Sequence, residues 1–242
     1  MSTSVAAIIP AKDEGERITA TVRAVLGLAG VDLVVVVDDG SSDDTAELAT
    51  QAGAAVVRHS RNRGKAAAMT TGADYVARQE SVEGRVGDSD GRRPLLFVDG
   101  DLEESAENLG VLLPPVVEGR ADMTIATLPP QKTAGGGRGF VVRLARNGIE
   151  ELTGFTANQP LSGMRCVTRA AFDAATPLAK GWGVEVGLTI DVLRAGLRVE
   201  EVPCELHHRV SGADWRGQLH RARQYRDVAL ALGRRRLRRG QA

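Results

Sequence analysis

Short apolar runs alternate with amphipathic stretches along the first half of the chain. Val5–Ile9, Leu33–Val37 and Leu95–Val98 are continuous apolar runs, typical of strands that are buried on both faces. Between the strands, apolar residues recur at helical spacing, first at Ile18, Val22, Val25 and Leu26. This alternation predicts an α/β fold with a mostly parallel, doubly wound sheet.

Weaker patterns complete the predicted elements. We predict further strands at residues 55–57, 122–127, 164–167 and 198–205, the last at a sheet edge because it contains Pro203. We predict helices at residues 43–52, 65–78, 105–117, 140–153, 182–194 and 214–232. The polar stretch Glu80–Arg93 predicts a mobile surface loop.

Composition narrows the class of protein. The chain has 242 residues, 43% of them apolar, and a formal net charge of zero, which fits one large globular domain. Balanced charge argues against a general nucleic-acid binder. The basic run Arg234–Arg239 is either a solvated terminus or a contact for anionic lipid headgroups or nucleic acid.

Cysteine usage and hydropathy indicate a cytoplasmic protein. Cys166 and Cys204 lack a Cys-x-x-Cys spacing, which predicts buried, reduced thiols. No stretch approaches the ~20 apolar residues of a membrane span, and the apolar residues after the N-terminus are too few for a signal peptide. A lipid substrate would therefore be met at the membrane surface.

Polar residues follow three of the predicted strands at the point where each ends. They lie after Ile9, after Val37 and after Val98, and the last group contains Asp99 and Asp101. The carboxyl ends of parallel strands share one edge, where open α/β sheets bind ligands. Two clustered carboxylates repel each other unless a cation or proton intervenes, and hard oxygen ligands favour Mg²⁺ or Mn²⁺. An ordinary turn is the alternative, since Asp and Gly are common turn formers.

Two glycine-containing motifs do not fit their usual chemistry. Gly64-Lys65 is not a P-loop, because His59 occupies the position of the first glycine and Ala66 replaces the Ser or Thr. Gly135–Gly139 lies far from the first strand and is followed by Phe140 where a dinucleotide motif has its last glycine. P-loop and nicotinamide chemistry are therefore disfavoured.

Four segments in order carry a family resemblance. Val5–Glu14, Val36–Thr45, Asn62–Lys65 and Phe97–Asp101 resemble family-2-type glycosyltransferases of the GT-A fold. The second half is similar to glucosyl-3-phosphoglycerate synthases and their mannosyl relatives. The similar segments there are Gly135–Arg138, Gln159–Gly163, Gly181–Gly187 and His208-Arg209.

The resemblance implies a fold and an activity. It implies a Rossmann-like, mostly parallel sheet flanked by helices, with a small mixed C-terminal acceptor subregion. Residues 1–127 would bind the nucleotide sugar and residues 128–242 the acceptor, within one domain. The implied reaction is metal-dependent transfer of a hexose from a nucleotide-diphosphate sugar, with UDP-glucose expected, to a small anionic acceptor such as 3-phosphoglycerate. The implied cofactor is Mg²⁺ or Mn²⁺.

The resemblance also implies roles for individual residues. The nucleotide sugar would be bound by Pro10, Ala11, Glu14, Asp39, Ser41, Lys65, Asp99 and Gly100. Lys65 would contact the uracil or the phosphates. Asp101, Asp99 and His208 would hold the metal, with His207 as the alternative to His208.

The remaining implied residues act on the leaving group and the acceptor. Asp101, as a metal ligand, and Arg209, through its positive charge, would help the nucleoside diphosphate to depart. Glu185 would contact the acceptor or remove its proton. Alternatively, Glu185 could have only a structural role, because the helix dipole stabilises a negative side chain at the start of a helix. Gly137 and Arg138 would bind the anionic acceptor, because a guanidinium suits phosphate or carboxylate.

Other functions stay open. A polyprenyl phosphate at the membrane surface is the alternative acceptor, with contact through the basic C-terminus. A nucleotidyltransferase would share the sheet and the metal carboxylates but should have a Gly-rich loop after its first strand, where this chain has Pro10–Asp13. A non-catalytic sugar-nucleotide-binding protein is the third alternative. The sequence leaves assembly open, a homodimer included.

Overall fold

Seven strands form one sheet in the computed structural model, which describes residues 4–85, 91–128, 138–206 and 215–239. The strands are β1 (Val5–Ala11), β2 (Val31–Asp38), β3 (Ala55–Arg58), β4 (Leu95–Phe97), β5 (Met123–Thr127), β6 (Arg165–Val167) and β7 (Val199–Pro203). Their order is β3-β2-β1-β4-β6-β5-β7. Only β6 runs antiparallel to its neighbours, so the predicted mostly parallel α/β sheet is confirmed.

The helices connect these strands. They are α1 (Ile18–Leu26), α2 (Thr45–Gln51), α3 (Lys65–Val82), α4 (Leu113–Val117), α5 (Arg138–Thr153), α6 (Arg169–Ala174), α7 (Val184–Arg194) and α8 (Trp215–Arg239). The helix predicted at 105–117 is a 3-10 segment, Glu103–Leu112, followed by α4. α6 was not predicted because six residues show no periodicity. It is capped by Thr168, whose hydroxyl accepts the Ala171 N–H at 3.1 Å.

Strand side chains alternate between the two faces of the sheet. On one face, Ile9 and Leu96 pack against α1, α2, α4 and the 3-10 segment. On the other, Ile8 and Phe97 pack against α3, α6 and α7. Each fully buried aliphatic side chain contributes about 1.5–3 kcal/mol, so both layers fix the strand ends relative to one another.

A third apolar cluster joins α5, α7 and α8 outside these two layers. It is built around Ala145, Ile149, Val186, Val228 and Leu232. These helices belong to the second half of the chain, where the small C-terminal acceptor subregion is expected. Its role in acceptor binding, and the division at residue 127, stay predictions.

Pro10 does not end the first strand, contrary to the expectation. β1 continues to Ala11, and Pro10 pairs in register with Val37 of β2. The carbonyl of Ile8 accepts the Val98 N–H at 3.1 Å, so Ile8 and Pro10 both direct their backbone polar groups to the β4 side. β4 ends at Phe97 and does not continue alongside Pro10. The missing N–H of Pro10 therefore costs no hydrogen bond between these two strands.

The predicted surface loop at 80–93 is wrong at both ends. α3 extends to Val82, and the buried Glu80 side chain accepts the Arg93 N–H at 2.7 Å. The Arg93 guanidinium donates to both carboxylate oxygens of Asp32 at 2.8 Å. These bonds hold both ends of the stretch, whereas residues 86–90 lie outside the described part of the chain.

The prediction for the two thiols is confirmed. Cys166 and Cys204 are both buried and free. Burial raises the pKa of Cys166 to about 12 and that of Cys204 to about 11, so neither thiol forms a thiolate readily.

Candidate functional site

The carboxyl ends of β1, β2 and β4 lie side by side at one edge of the sheet. β1 is central, with β2 parallel on one side and β4 parallel on the other. The Asp39 N–H donates to the Ala11 carbonyl at 2.8 Å, which continues the strand pairing into the loops. The strand order in the sheet changes direction between β1 and β4. Open α/β sheets bind ligands at the carboxyl ends of the strands at such a position.

The loops after β1 and β2 are bonded to each other. The Asp13 N–H donates to the Ser41 hydroxyl at 2.9 Å, and the Glu14 N–H donates to the Thr45 hydroxyl at 2.9 Å. In the reverse direction the Ser42 N–H donates to Asp13 Oδ1 at 2.8 Å. The predicted nucleoside-pocket residues Glu14 and Ser41 therefore belong to one rigid pair of loops.

Asp39 is buried and organises the loop before α3. It accepts the N–H groups of Arg63 and Gly64, each at 2.7 Å, and its Oδ1 lies 2.7 Å from His59 Nδ1. Burial alone would raise the Asp39 pKa, but these hydrogen bonds outweigh it and lower the pKa below its ordinary value. His59 Nε2 in turn lies 3.0 Å from the Thr71 hydroxyl, so Asp39 ties β2 to α3.

Gly40 permits this close approach of the two loops. Its φ of +73° is in the left-handed region, and a β-carbon there would lie 2.6 Å from the backbone carbon of Arg61. A side chain at this position would therefore separate the Asp39 loop from the one that leads to Lys65.

Lys65 joins a strand end of the first half to a helix of the second half. Its Nζ lies 2.8 Å from Asp99 Oδ1 and 3.1 Å from Glu185 Oε1. Desolvation alone would lower the Lys65 pKa, but the two carboxylates outweigh it and raise the pKa above its ordinary value. We call Lys65, Asp99 and Glu185 the ion triad. The structure thus brings together two residues predicted to bind the nucleotide sugar and one, Glu185, predicted to act on the acceptor.

Gly163 packs directly against the ion triad. A β-carbon on Gly163 would lie 2.5 Å from Lys65 Nζ and 2.9 Å from Asp99 Oδ1. The turn at residues 159–163 therefore closes one side of the site. Gly163 was not among the predicted site residues, although its turn carried the resemblance in the second half.

Arg165 is a buried residue that sequence reasoning missed. Its guanidinium is 1% exposed and donates to the Ser162 carbonyl at 2.8 Å, the Glu185 carbonyl at 3.0 Å and the Thr189 hydroxyl at 2.8 Å. All three acceptors are neutral. Burial lowers the Arg165 pKa to about 10, while the charge of Glu185 opposes that shift. Arg165 therefore holds the turn at 159–163 against the first turns of α7.

Asp101 lies beside a different pair of charges. Arg17 Nη2 lies 2.6 Å from Glu14 Oε2, and the charge of Asp101 acts on both residues. Burial raises the Glu14 pKa, the Arg17 hydrogen bond opposes this, and Asp101 raises the pKa further. The two carboxylates of the Asp99-Gly100-Asp101 segment thus have different electrostatic surroundings.

The donor chemistry at this edge fits a hard divalent cation. Asp99 and Asp101 are both partly exposed and supply carboxylate oxygens, the ligand type that Mg²⁺ and Mn²⁺ prefer. Within residues 4–85, 91–128, 138–206 and 215–239, no group of three or more His, Cys, Asp or Glu side chains is placed to hold a metal. Further ligands would come from water, from a substrate or from His208, which is outside those ranges.

The structure describes some of the other predicted site residues and not others. Pro10 and Ala11 end β1, and the Gly100 carbonyl accepts the Thr21 hydroxyl at 3.0 Å. Arg138 begins α5, but its side chain is not described. Gly137, His207, His208 and Arg209 lie outside the described residues. Their proposed roles stay predictions.

The described helices do not include a membrane span. None of them is both long enough and apolar enough to cross a bilayer.

The comparison with protein families identifies the class. The model of glycosyl transferase family 2 matches residues 6–173, a segment that includes the three loops and the ion-triad residues Lys65 and Asp99. The chain belongs to glycosyl transferase family 2. The predicted family and fold are confirmed.

Individual relatives agree with this assignment. The chain is 31% identical over 190 residues to the glycosyltransferase AglJ of Haloferax volcanii, covering 75% of this chain and 56% of that protein. It is 30% identical over 209 residues to glucosyl-3-phosphoglycerate synthase of Mycolicibacterium smegmatis, covering 80% and 66%. The chain thus spans less than two thirds of the length of either relative.

A solved structure extends the likeness over most of the fold. The glucosyl-3-phosphoglycerate synthase of Mycobacterium tuberculosis, in complex with Mn²⁺, uridine diphosphate and glucosyl-3-phosphoglycerate, matches with a TM-score of 0.72 and 27% identity. The match covers 96% of this chain and 80% of that one.

Proposed function

We propose that this chain transfers a hexose from a nucleotide-diphosphate sugar, with UDP-glucose as the expected donor, to a small anionic acceptor such as 3-phosphoglycerate. The observation that carries the proposal is the ion triad at the shared carboxyl edge of β1, β2 and β4. It joins the strand-end carboxylate of the donor half to Glu185 of the acceptor half. The likeness to a synthase in complex with Mn²⁺ and uridine diphosphate supports the proposed donor and cofactor.

The donor would lie across the loops after β1 and β2. Pro10, Ala11, Glu14, Asp39 and Ser41 surround that edge, and the loop-to-loop hydrogen bonds hold it in one arrangement. A preformed pocket lowers the cost of ordering a nucleoside on binding. In this proposal Asp39 acts by holding the loop at residues 61–64, besides lining the pocket.

The diphosphate would lie beside Lys65 and the Asp99-Gly100-Asp101 segment. Lys65 would offer its ammonium to the phosphate oxygens, and Arg209 would add further positive charge. Asp101 and Asp99, with His208, would hold Mg²⁺ or Mn²⁺. Bound there, the cation would neutralise the negative charge that develops on the departing nucleoside diphosphate.

The acceptor would meet the sugar on the α7 side of the site. A hydroxyl oxygen of the acceptor forms the new bond to the anomeric carbon while the bond to the diphosphate oxygen breaks. Glu185 would orient that hydroxyl or take its proton, because the carboxylate is held within 3.1 Å of Lys65 at the start of α7. Gly137 and Arg138 would bind the acceptor's anionic group.

Uridine diphosphate release tests the proposal. The chain is incubated with UDP-glucose and Mn²⁺, with and without 3-phosphoglycerate, and released uridine diphosphate is measured. Release that depends on both acceptor and metal is expected. Glu185→Gln should reduce turnover while retaining uridine diphosphate binding, and exposed Glu107→Gln serves as the matched control. Metal-dependent binding without turnover on any donor and acceptor would indicate a binding protein instead.

A polyprenyl phosphate is the second candidate acceptor. The exposed Leu230 and Leu237 side chains on the basic helix α8 favour it, because they suit work at a membrane surface. Turnover with a short-chain polyprenyl phosphate but not with 3-phosphoglycerate would select this acceptor. Assembly as a homodimer stays a prediction.

A further inference from the structure

The outer face of α8 combines positive charge with exposed apolar side chains. Val228, Leu232 and Arg235 point inward and are at most 5% exposed. On the outer side, Arg226, Leu230, Arg234 and Leu237 follow one another at spacings of four, four and three residues, which places them in one stripe. Leu230 is 54% exposed and Leu237 is 76% exposed.

A cavity of about 370 Å³ opens beside this stripe, between residues 177–180 and α8. Its lining includes Lys180, Arg226 and Arg234 together with the apolar Pro177, Leu178 and Leu230. Lys180, Arg226 and Arg234 are all exposed. The cavity therefore presents cations to solvent, with apolar surface around them.

The acidic groups near the cavity are already engaged. Asp227, the carboxylate of the cavity lining, accepts from the Arg226 guanidinium at 2.9 Å and from the Trp182 N–H at 3.3 Å. The buried Arg235 is paired with Asp191. Asp227 is the one carboxylate among the described lining residues, and it is bonded to Arg226 and Trp182. The lining therefore has an excess of positive charge from Lys180 and Arg234, which favours an anion.

The exposed Leu230 and Leu237 side chains indicate which kind of anion binds at this face of α8. A free phosphate could enter the cavity but would leave the exposed surface of Leu230 and Leu237 in water, and a nucleic acid would do the same. An anionic bilayer offers phosphate groups at its surface and apolar chains directly beneath them, as basic amphipathic helices require. We propose that the outer face of α8 docks on an anionic lipid membrane, with a lipid phosphate in the cavity beside Lys180 and Arg234.

The docking surface is separate from the glycosyl-transfer site. It uses none of the residues of the ion triad or the loops after β1 and β2. The segment at 177–183 leads directly into α7, so a docked molecule would hold the acceptor side of the site near the membrane. The proposal concerns binding alone and does not depend on which acceptor is used.

Vesicle co-sedimentation tests the proposal with the full chain and no nucleotide sugar. Vesicles of phosphatidylcholine with 30% phosphatidylglycerol (about one lipid in three, a strongly anionic surface) are compared with pure phosphatidylcholine. The chain is expected to sediment with the anionic vesicles and not with the neutral ones. Raising the salt should weaken this binding, because salt screens exposed charges. Failure to sediment with anionic vesicles at low salt would overturn the proposal.

Paired variants separate the cavity from general charge. Lys180→Gln/Arg234→Gln should weaken vesicle binding about 25-fold, since each cation near an anionic surface contributes roughly a factor of five. Arg23→Gln/Arg78→Gln removes the same charge from exposed positions on α1 and α3 and should leave binding unchanged. Equal losses in the two pairs would overturn the role of the cavity.

Leu230→Gln tests the apolar part at constant charge. It should weaken binding about tenfold, because the side chain no longer enters the apolar layer. Unchanged binding would overturn docking on lipid and leave a purely electrostatic contact. A concentration-dependent dimer that Leu230→Gln abolishes, without vesicle binding by the original chain, would place a second copy on this face and also overturn the proposal.

Discussion

Gly163 lies against Asp99 with no room for a β-carbon between them. A methyl group on Gly163 would lie 2.9 Å from Asp99 Oδ1 and 2.5 Å from Lys65 Nζ. The contact joins the turn before β6 to the segment that follows β4, across more than sixty residues of sequence. The second half of the chain therefore takes part directly in shaping the site at the carboxyl edge.

Gly163→Ala should displace Lys65 from Asp99 and lower turnover about tenfold or more, because small misplacements in a site are costly. The melting temperature should change little, since the ends of flexible side chains give way. Gly110→Ala is the control, because its β-carbon would make an ordinary contact at 3.6 Å with Leu28. Full activity of Gly163→Ala would show that the close contact has no functional consequence.

Lys65→Met should leave Asp99 and Glu185 without the cation that both contact. The two carboxylates then repel each other and should move apart, so turnover should fall about tenfold or more. Uridine diphosphate binding should weaken about tenfold, as expected on loss of a charged hydrogen bond. Titration calorimetry and turnover rates measure the two effects, with Lys180→Met as the matched control. Unchanged binding and turnover would contradict the proposed role of Lys65.

Two buried arginines allow a matched comparison of stability. Arg165→Met removes several hydrogen bonds to buried acceptors, three of them at 3.0 Å or shorter, and should lower the free energy of unfolding by about 2–4 kcal/mol. Arg169 is also buried, but its Nε and Nη1 have no hydrogen-bond partner among the described residues, so Arg169→Met should cost less than about 1 kcal/mol. Urea unfolding measures both. Equal costs would mean that the bonds of Arg165 contribute nothing specific.

Asp39 should contribute to acid unfolding. Its pKa in the folded chain is below the ordinary value of 3.8, so it stabilises the fold above that pH. This contribution is lost as the pH falls through the lowered pKa. Asp39→Asn should therefore be less stable at pH 7 and should lose less stability than the original chain as the pH falls below about 4. Urea unfolding across this range, with exposed Asp44→Asn as control, checks the slope.

Local patterns were enough to predict the sheet and its edge. The strands that end at Ala11, Asp38 and Phe97 are marked by apolar runs followed by polar loops, and their packing follows from that pattern. Pro10 was misplaced because the cost of a proline depends on which neighbour its missing N–H would face. That neighbour is set by where β4 ends, which no local pattern around Pro10 reveals.

Residues that hold the site together could not be found in the same way. An arginine such as Arg165 is rarely fully buried, so no local pattern predicts that it lies in the core. Its oxygen acceptors lie on the turn before β6 and on α7, up to 24 residues away. His59 likewise acquires its role only through Asp39 and Thr71. Such roles depend on tertiary contacts rather than on residue spacing.

Metal-dependent uridine diphosphate binding tests the sugar-nucleotide site most directly. The chain is titrated with uridine diphosphate with and without Mn²⁺, beside Asp101→Ala and the exposed control Glu107→Ala. Mn²⁺ should strengthen binding to the original chain and to the control. Asp101→Ala should reduce the metal-dependent affinity about tenfold or more, with a nearly unchanged melting temperature. Absence of binding by the original chain, or full metal-dependent binding by Asp101→Ala, would contradict the site.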